Sequence, residues 1–395
     1  MKKFPGTDFI HFDTLLSEEE VMIRDTIREW VEDNVIPEID SHYQHGHFFQ
    51  PWQAEMAELG VLGATLDGWG GAGLGAVAAG LIYQELERGD SGLRSFASVM
   101  NSLVMYPIAT FGSDEQKERW LPDLVAGRKV GCYGLTEPDY GSNPGGMLTK
   151  AERTSSGWVL NGTKRWITNG TIADVAVVFA KTAEGVRGFL VERGTPGYTA
   201  PEIHRKWSLR ASVTSELIFE DCEIPADAIL PGSDIGLKTA LMCLNQARYG
   251  IAWGAIGVMM DCYEEAKEYV MTRTQFRGRP LASHQLVQKR LSNMLTEITK
   301  SQLLMLQIGR LKEQGLANHA HISLAKRNNC YWALRIARTA RDMLGASGIT
   351  HEYRSGRHMM NMESVKTYEG AHDVHHLILG EHITGIPAYD PPAEG

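Results

Sequence analysis

A glutamate beside a glycine is the first candidate for acid–base chemistry in this sequence. Glu369 lies in the tripeptide Tyr368-Glu369-Gly370, after a segment with helix-compatible spacing at residues 357–365. Methionines stand at positions 359, 360 and 362. Burial among such side chains disfavours the charged carboxylate, so we expect Glu369 to have a raised pKa and to act as a general base. The alternative is a solvated surface glutamate.

An arginine and a histidine pair carry two further possibilities. Arg94, in the segment Ser91-Gly-Leu-Arg94-Ser95, could form a bidentate pair with a carboxylate, and otherwise it is an exposed arginine. His372 and His376 are one helical turn apart and could share a metal ion, as in a metal hydrolase. No third ligand follows in the sequence, so we favour histidines that cap or pack a helix and predict no metal.

Two loop-like segments could hold a cofactor. Gly68, Gly70 and Gly73 match the dinucleotide-binding pattern GxGxxG, but residues 61–66 make a poor strand before it. We therefore favour a loop between helices. Residues 136–143, Thr-Glu-Pro-Asp-Tyr-Gly-Ser-Asn, concentrate hydroxyls and backbone donors that could bind a polar ring or a phosphate. An interdomain turn is an equally good interpretation of this second segment.

Helices on both sides of a β region must position these residues. Ser17 with Glu20, and Ser113 with Gln116, form capping boxes that predict helix starts in the first part of the chain. From Pro280 to Pro387 no proline interrupts an Ala-, Leu- and Arg-rich stretch, which predicts long helices there. We place the domain boundaries at 1–129, 130–233 and 234–395.

The middle part has short apolar runs bounded by turn residues and no helix-length pattern. Residues 158–160 and 165–168, on either side of Asn161-Gly162, predict a hairpin with a type I′ turn. Strands are also predicted at 175–179, 188–191 and 216–219, and we expect an antiparallel, barrel-like sheet. The predicted fold class is therefore α+β and mostly α, with an N-terminal helical domain, a central β-domain and a C-terminal four-helix bundle.

Composition excludes several other classes of protein. The 395 residues include 39 Lys and Arg against 48 Asp and Glu, a net charge of −9 that disfavours nucleic acid as the main partner. Five scattered cysteines without a CxxC pair indicate free thiols in a reducing compartment. No apolar run approaches the ~18 residues of a membrane span, and no secretory signal is visible at the N-terminus. We expect a cytoplasmic protein without membrane insertion.

Several long segments, in this order, resemble the acyl-CoA dehydrogenases. They are YGLTEPDYGSNP (133–144), LNGTKRWITNG (160–170), KWSLRAS (206–212), LNQARYGIAWG (244–254), RTQF (273–276), KRNNC (326–330), ARDMLGASGI (340–349) and TYEGAHDVH (367–375). The resemblance implies an FAD enzyme that oxidises the Cα–Cβ bond of an acyl-CoA, with Glu369 as the base. It also implies a homotetramer built as a dimer of dimers, and electron-transfer flavoprotein as the electron acceptor.

The same resemblance assigns cofactor and substrate residues. FAD would contact Tyr133, Leu135, Thr136, Gly141, Ser142, Trp166, Ile167, Thr168, Ala371 and Tyr389, and Arg273, Phe276 and Gln285 would belong to the cofactor site as well, with Arg273 and Gln285 reaching the FAD of a neighbouring subunit. The acyl-CoA would contact Ser142, Leu241, Asn245, Arg248, Tyr368 and Gly370. Family members that act on glutaryl-CoA bind the distal carboxylate with an Arg and a Ser, with a Glu nearby, and Arg94, Ser98 and Glu87 match those places. Ser95 would also bind the substrate. The pattern at Tyr368 and Glu87 resembles the decarboxylating members, which release crotonyl-CoA and CO2.

Three positions depart from the family pattern. Asn143 replaces the usual Asp after Gly141-Ser142, and Ala371 replaces a Thr after Glu369-Gly370. The segment RTQFRGRP carries an extra residue before its glycine. These changes touch the cofactor surroundings and bear on affinity more than on the class of reaction. Another short-chain or carboxylated acyl-CoA is the alternative substrate.

Overall fold

The computed structural model describes residues 6–388 of the chain. Its first part, up to residue 129, is helical. Its helices within residues 6–129 are α1 (Glu18–Trp30), α2 (Ile39–His45), α3 (Pro51–Glu58), α4 (Ala76–Gly89), α5 (Ser91–Ser98), α6 (Tyr106–Phe111) and α7 (Asp114–Val125). Both predicted capping boxes are confirmed, because Ser17 and Glu20 bond each other's backbone N–H groups, as do Ser113 and Gln116. Each box satisfies two N–H groups that a helix start would otherwise leave unpaired.

A curled sheet forms the middle of the chain. Its strands are β1 (Gly131–Gly134), β2 (Lys150–Arg153), β3 (Gly157–Thr168), β4 (Val175–Thr182), β5 (Gly185–Glu192), β6 (Tyr198–Thr199) and β7 (Thr214–Pro225). The order along the sheet is β1-β4-β2-β3-β7-β6, with β5 beside β4. Most pairs are antiparallel, but β1 and β2 both run parallel to β4. The connection from β1 to β4 contains the β2–β3 hairpin, which makes it long enough for a parallel crossover.

The predicted hairpin at Asn161-Gly162 is wrong. Both residues lie inside the continuous strand β3, which pairs along its length with β7. A register shift between Leu160 and Gly162 marks a bulge, and the side chain of Asn161 bonds both the backbone and the carboxylate of Asp221 on β7. Glycine is required at 162 because a Cβ there would lie 2.5 Å from the hydroxyl of Thr149. The Asn-Gly pair thus serves a bulge instead of a turn.

Long helices form the last part of the chain, as the proline-free stretch predicted. They are α8 (Leu237–Thr272), α9 (Gln285–Glu313), α10 (His319–Met343), α11 (Arg354–Thr367) and α12 (His372–Thr384), with a small hairpin of β8 (Thr274–Gln275) and β9 (Arg279–Pro280) after α8. Helices α8 to α11 pack as a bundle and α12 packs against α10. The predicted fold class, helical domain, central sheet and helical bundle, is confirmed. The residue boundaries 129/130 and 233/234 remain proposals.

Helix α4 joins the N-terminal domain to the bundle. Every residue of α4 is buried, and it packs against α8. Glycines make this approach close: a Cβ at Gly80 would lie 2.2 Å from the indole nitrogen of Trp253, and a Cβ at Gly257 would lie 1.9 Å from the carbonyl oxygen of Gln84. This close approach of α4 to α8 places polar groups of α4, and of α5 after it, at the inner surface of the bundle.

The glycine motif and the membrane prediction can also be compared with the structure. Gly68, Gly70 and Gly73 lie in the loop between α3 and α4, and all three have positive φ angles. No strand precedes this loop within residues 6–67, so the dinucleotide-binding alternative is wrong and the interhelical loop is confirmed.

Over the described residues, each helix is too short or too polar to span a lipid bilayer.

Candidate active site

The tripeptide Tyr368-Glu369-Gly370 forms a tight loop between α11 and α12. Glu369 has a φ of 52° and Gly370 a φ of 98°, both in the region that disfavours side chains. A Cβ at residue 370 would also lie 2.8 Å from Nε2 of His375. The loop therefore needs glycine at 370, and it holds Glu369 in a conformation that costs energy for a residue with a side chain.

Two buried cations bind the three carbonyl groups of this loop. Nζ of Lys326, on α10, donates to the carbonyl oxygen of Tyr368 at 2.5 Å and to that of Gly370 at 2.7 Å. Nε of Arg248, on α8, donates to the carbonyl oxygen of Glu369 at 2.6 Å. Lys326 is 1% exposed and Arg248 is 7% exposed. These charge-assisted hydrogen bonds stabilise the strained loop from two helices of the bundle.

The carboxyl group of Glu369 has the surroundings of a general base. Its Oε2 atom is buried and has no hydrogen-bond partner in the described structure. Burial raises the pKa of Glu369, while the cations of Arg94, Lys326 and Arg248 oppose that rise. The predicted direction of the pKa shift is confirmed. Arg94 and Arg248 were predicted as substrate residues, whereas Lys326 was not predicted to belong to the site.

Arg94 lies at the inner end of the site, and the alternative of an exposed arginine is wrong. The guanidinium group is fully buried and donates to the carboxylate of Glu87, also fully buried, at 2.7 and 3.2 Å. It also donates to the hydroxyl of Tyr368, which lies 3.1 Å from Oγ of Ser95. Burial lowers the pKa of Arg94, but Glu87 and Tyr368 more than offset this and keep it charged.

Two polar atoms at this inner end have no partner. Nη1 of Arg94 and Oγ of Ser98 are buried and make no hydrogen bond within the described residues. A buried polar group without a partner is costly, and such atoms in a site indicate a ligand that binds them. The site also contains three cations, Arg94, Lys326 and Arg248, against the carboxylates of Glu87 and Glu369. The uncompensated positive charge favours a ligand carboxylate.

Gly254, on α8, makes room for the Glu87–Arg94 pair. A Cβ at this position would lie 1.9 Å from Oε2 of Glu87. The carboxylate therefore packs directly against the backbone of α8, and any side chain at 254 would displace it. Glycine here fixes the position of Glu87 and, through the ion pair, that of Arg94.

The end of β1 and the bulged part of β3 form a second face beside Glu369. The backbone N–H of Arg165 donates to the carbonyl oxygen of Thr136 at 2.8 Å and links the two segments. Tyr133 donates to the carbonyl oxygen of Ala240 at 3.1 Å, and burial raises its pKa, with Glu369 among the further causes. The start of α8 and Glu369 therefore lie close to the end of β1.

This second face fits a planar ring that carries polar atoms. The indole of Trp166 is 55% exposed beside the buried Ile167, and its backbone φ of 64° turns it out of the strand. The side chains of Thr136 and Thr168 are only partly buried, so their hydroxyls stay within reach of a ligand. An exposed aromatic face can stack on a planar ring such as isoalloxazine, and neighbouring hydroxyl groups can hydrogen-bond to the polar atoms of that ring.

A buried ion pair supports the loop that follows β1. Nζ of Lys164 donates to Oε1 of Glu137 at 2.8 Å and to the carbonyl oxygen of Leu135 at 3.1 Å. Glu137 also accepts from the backbone N–H groups of Leu148 and Thr149. Burial lowers the pKa of Lys164 to about 8. The pair holds residues 135–137 in place, and no local sequence pattern predicts it.

Other predicted site residues lie on the surface around this centre. Gly141 and Ser142 are exposed in the loop after β1, Leu241 is 37% exposed and Asn245 is partly buried on the first turns of α8, and Ala371 immediately precedes α12. Tyr389 lies outside the described residues. The structure thus brings Glu87, Arg94, Ser95, Arg248 and residues 368–370 together. Ser98 follows Arg94 by one turn on α5.

The predicted cofactor residues Arg273, Phe276 and Gln285 come after α8 in the chain. Arg273 follows the last residue of α8, about 37 Å along the helix axis from Arg248 at a rise of about 1.5 Å per residue. Phe276 is 71% exposed in the β8–β9 hairpin, and Gln285 begins α9. Arg273 is therefore too distant to touch a group bound directly against the Glu369 of its own chain, and Phe276 follows it by three residues.

The histidines near the start of α12 form ring contacts. His372 and His376 lie with ring centroids 5.0 Å apart, and His372 also stacks on Tyr331. His375 is buried with Nδ1 3.1 Å from Oγ of Ser323, and burial lowers its pKa to about 2. No group of three or more potential ligands occurs among residues 6–388. The structure therefore gives no support to the metal-hydrolase alternative.

Three family models together match nearly the whole chain. The N-terminal domain of acyl-CoA dehydrogenase matches residues 17–128, the middle domain matches 132–222, and the C-terminal domain matches 234–384. The fold, with its buried glutamate between a helical bundle and a curled sheet, agrees with these matches. The chain belongs to the acyl-CoA dehydrogenase family.

Individual relatives are similar over almost their full length. The human mitochondrial short-chain specific acyl-CoA dehydrogenase is 35% identical over 375 residues, which cover 93% of this chain and 90% of the relative. The crystal structure of a glutaryl-CoA dehydrogenase from Mycobacterium smegmatis in complex with FADH2 is 48% identical, with a TM-score of 0.96 over 98% of this chain and 100% of that one. A second structure of glutaryl-CoA dehydrogenase from that organism is 51% identical over the same shares of both chains, also with a TM-score of 0.96.

Proposed function

We propose that this protein is an FAD-dependent dehydrogenase of glutaryl-CoA. The observation that carries the proposal is the inner end of the site, where a fully buried Arg94 has an unpartnered Nη1 and Ser98, one helical turn later on α5, has an unpartnered Oγ. A buried guanidinium group is costly against an apolar acyl chain and complementary to a carboxylate. The similarity to two glutaryl-CoA dehydrogenase structures supports the same substrate.

Glu369 removes the α-proton of the substrate in this proposal. The α-proton of a thioester is only weakly acidic, so the thioester oxygen must receive hydrogen bonds as enolate charge develops. The backbone N–H of Glu369 is one such donor. The raised pKa of Glu369 brings its basicity nearer to that of the proton it abstracts. When bound, FAD supplies the acceptor for the β-hydrogen, which leaves as hydride.

The residues that would hold FAD come from two chains. Tyr133, Leu135, Thr136, Gly141 and Ser142 would line one side, and Trp166, Ile167 and Thr168 would cover the other, with Ala371 nearby. Arg273 is too distant from its own Glu369, and Arg273, Phe276 and Gln285 would serve the FAD of a neighbouring subunit. A homotetramer, built as a dimer of dimers, provides that arrangement. Leu241, Asn245 and Ser142 would follow the CoA chain, and Gly370 the thioester.

Loss of CO2 follows oxidation in this proposal. After oxidation the Cα=Cβ bond is conjugated with the thioester, and the carboxylate is attached to the adjacent γ-carbon. The bond between the γ-carbon and the carboxyl carbon can therefore break and leave its electron pair in a dienolate that extends to the thioester oxygen. Protonation of the dienolate at the γ-carbon by the acid form of Glu369 gives crotonyl-CoA. Tyr368, whose hydroxyl binds Arg94 and Ser95, lies beside the carboxylate that is lost. Electron-transfer flavoprotein would reoxidise the cofactor, in the cytoplasm.

The experiment that tests this proposal follows the label from carboxyl-labelled glutaryl-CoA. We expect release of one labelled CO2 for each crotonyl-CoA formed, and kcat/KM for glutaryl-CoA at least 100-fold above that for butyryl-CoA. Similarity to short-chain acyl-CoA dehydrogenases supports a second candidate, an enzyme of monocarboxylic short-chain acyl-CoA. That candidate predicts the opposite order of kcat/KM and no labelled CO2.

A further inference from the structure

The carbonyl groups of the loop at 368–370 are bound in a way that also fixes its N–H groups. In a trans peptide unit the C=O and the N–H are coplanar and point in opposite directions. The carbonyl of Tyr368 and the N–H of Glu369 belong to one such unit. Lys326 binds that carbonyl at 2.5 Å, so it sets the direction in which the N–H of Glu369 points.

The other two hydrogen bonds complete this fixation. Lys326 also binds the carbonyl of Gly370 at 2.7 Å, on the far side of the glutamate, and Arg248 binds the carbonyl of Glu369 at 2.6 Å. All three peptide planes that begin at residues 368, 369 and 370 are therefore anchored. The anchors are needed because Glu369 has a φ of 52°, which an unrestrained glutamate rarely adopts.

We propose that Lys326 is a positioning residue that aims the backbone N–H of Glu369 at the thioester oxygen of the substrate. This inference rests on the proposed function, in which that N–H stabilises the enolate. Lys326 itself lies at the carbonyl edge of this peptide unit, opposite the N–H, and touches neither substrate nor cofactor in this role. Its contact with the ring face of Tyr368, 5.9 Å from Nζ to the ring centroid, adds a further restraint on the loop.

The side chain of Lys326 is suited to this task and to little else. It is 1% exposed, and Nζ binds two carbonyl oxygens, which an ammonium group satisfies with separate N–H donors. It has no carboxylate partner among its hydrogen bonds within the described residues, although burial lowers its pKa to about 8. An apolar side chain in its place would leave both carbonyl oxygens buried without a donor, and the burial of an ammonium group is itself costly. The presence of the charged group therefore indicates that the orientation of these peptide units matters in the site.

Replacement of Lys326 by methionine tests the proposal, because methionine keeps the length and removes the donor. We expect the rate of flavin reduction by glutaryl-CoA to fall about 100-fold, the effect of about 1 Å of misplacement, while the affinity for crotonyl-CoA stays within threefold. Lys326→Gln, whose amide keeps two N–H donors, is expected to recover at least tenfold over Lys326→Met. The matched control is Lys312→Met, which removes a lysine that binds Gln246 at 2.6 Å in the same bundle, and we expect it to retain the rate.

A ligand that forms an enolate without being oxidised separates the effect of the backbone N–H of Glu369 from the effect of its carboxylate. Acetoacetyl-CoA forms an enolate with its own ultraviolet absorbance, and we expect Lys326→Met to reduce the bound enolate fraction in both the wild-type and the Glu369→Gln background. Flavin reduction within threefold of wild type in Lys326→Met would overturn the proposal, as would equal enolate fractions. Equal losses in the Met and Gln variants, with loss of FAD, would show structural support only. Full turnover by Glu369→Gln would instead refute the proposed base.

Discussion

Arg94 determines substrate choice in this account, and its replacement by glutamine separates charge from size. The change removes the guanidinium group whose Nη1 is free to bind a ligand carboxylate. It also leaves Glu87 without its ion-pair partner at a fully buried position. The single variant therefore mixes two effects. The double variant Glu87→Gln/Arg94→Gln removes both charges and serves as the matched comparison.

The magnitudes follow from the burial of the pair. Loss of one partner of a buried ion pair costs about 3–5 kcal/mol in stability, so Arg94→Gln should unfold at a lower temperature than the double variant. Binding of a buried ligand carboxylate should lose about 3–4 kcal/mol in both variants, which corresponds to about 10²- to 10³-fold in kcat/KM for glutaryl-CoA. Butyryl-CoA has no distal carboxylate that could interact with Arg94, and we expect its kcat/KM to change by less than tenfold in the double variant.

The assay is steady-state oxidation of both substrates by wild type and the two variants, with thermal unfolding and flavin content measured on the same samples. Selective loss of glutaryl-CoA turnover in the double variant is the expected result. An equal loss for glutaryl-CoA and butyryl-CoA, in protein that keeps its flavin and its unfolding temperature, would refute the assignment of Arg94 to the distal carboxylate.

Two further predictions concern Gly254 and Glu369. Gly254→Ala should cost about 1–3 kcal/mol in stability through overpacking. It should also reduce glutaryl-CoA turnover more than butyryl-CoA turnover, because the new Cβ would displace Glu87. Unfolding in denaturant and the two kcat/KM values check this, and unchanged values would contradict the packing argument. Glu369→Gln should abolish flavin reduction and stabilise the protein above the pKa of Glu369, by about 1.4 kcal/mol for each unit by which that pKa is raised. The gain should disappear near pH 4, where the carboxyl group is protonated in both states, and a gain that persists there would contradict a raised pKa.

Local sequence patterns predicted the helices better than the sheet. The capping boxes at Ser17 and Ser113 involve residues three apart, so their hydrogen bonds are encoded locally and both predictions hold. The hairpin at Asn161-Gly162 failed because a bulge and a tight turn demand the same residue types, and only the distant partner strand β7 distinguishes them. The parallel pairs of β4 depend on sheet order in the same way.

Only some of the residues of the site could be predicted from the sequence. A glutamate before a glycine marks a possible base, and Glu369 does have the raised pKa that was predicted. Lys326 was missed because its role depends on contacts with a loop about forty residues later. A signal was present, since Ser323, Lys326 and Asn329 form a polar stripe on the buried face of α10, where apolar residues are expected.

The most direct test of the account is an anaerobic visible spectrum of the purified protein before and after glutaryl-CoA is added. We predict a flavin absorption band that bleaches with glutaryl-CoA and much less with butyryl-CoA at the same concentration. A band that bleaches only with butyryl-CoA would contradict the role of the Arg94 end of the site. Folded protein reconstituted with FAD that bleaches with neither substrate would contradict the proposed dehydrogenase activity itself.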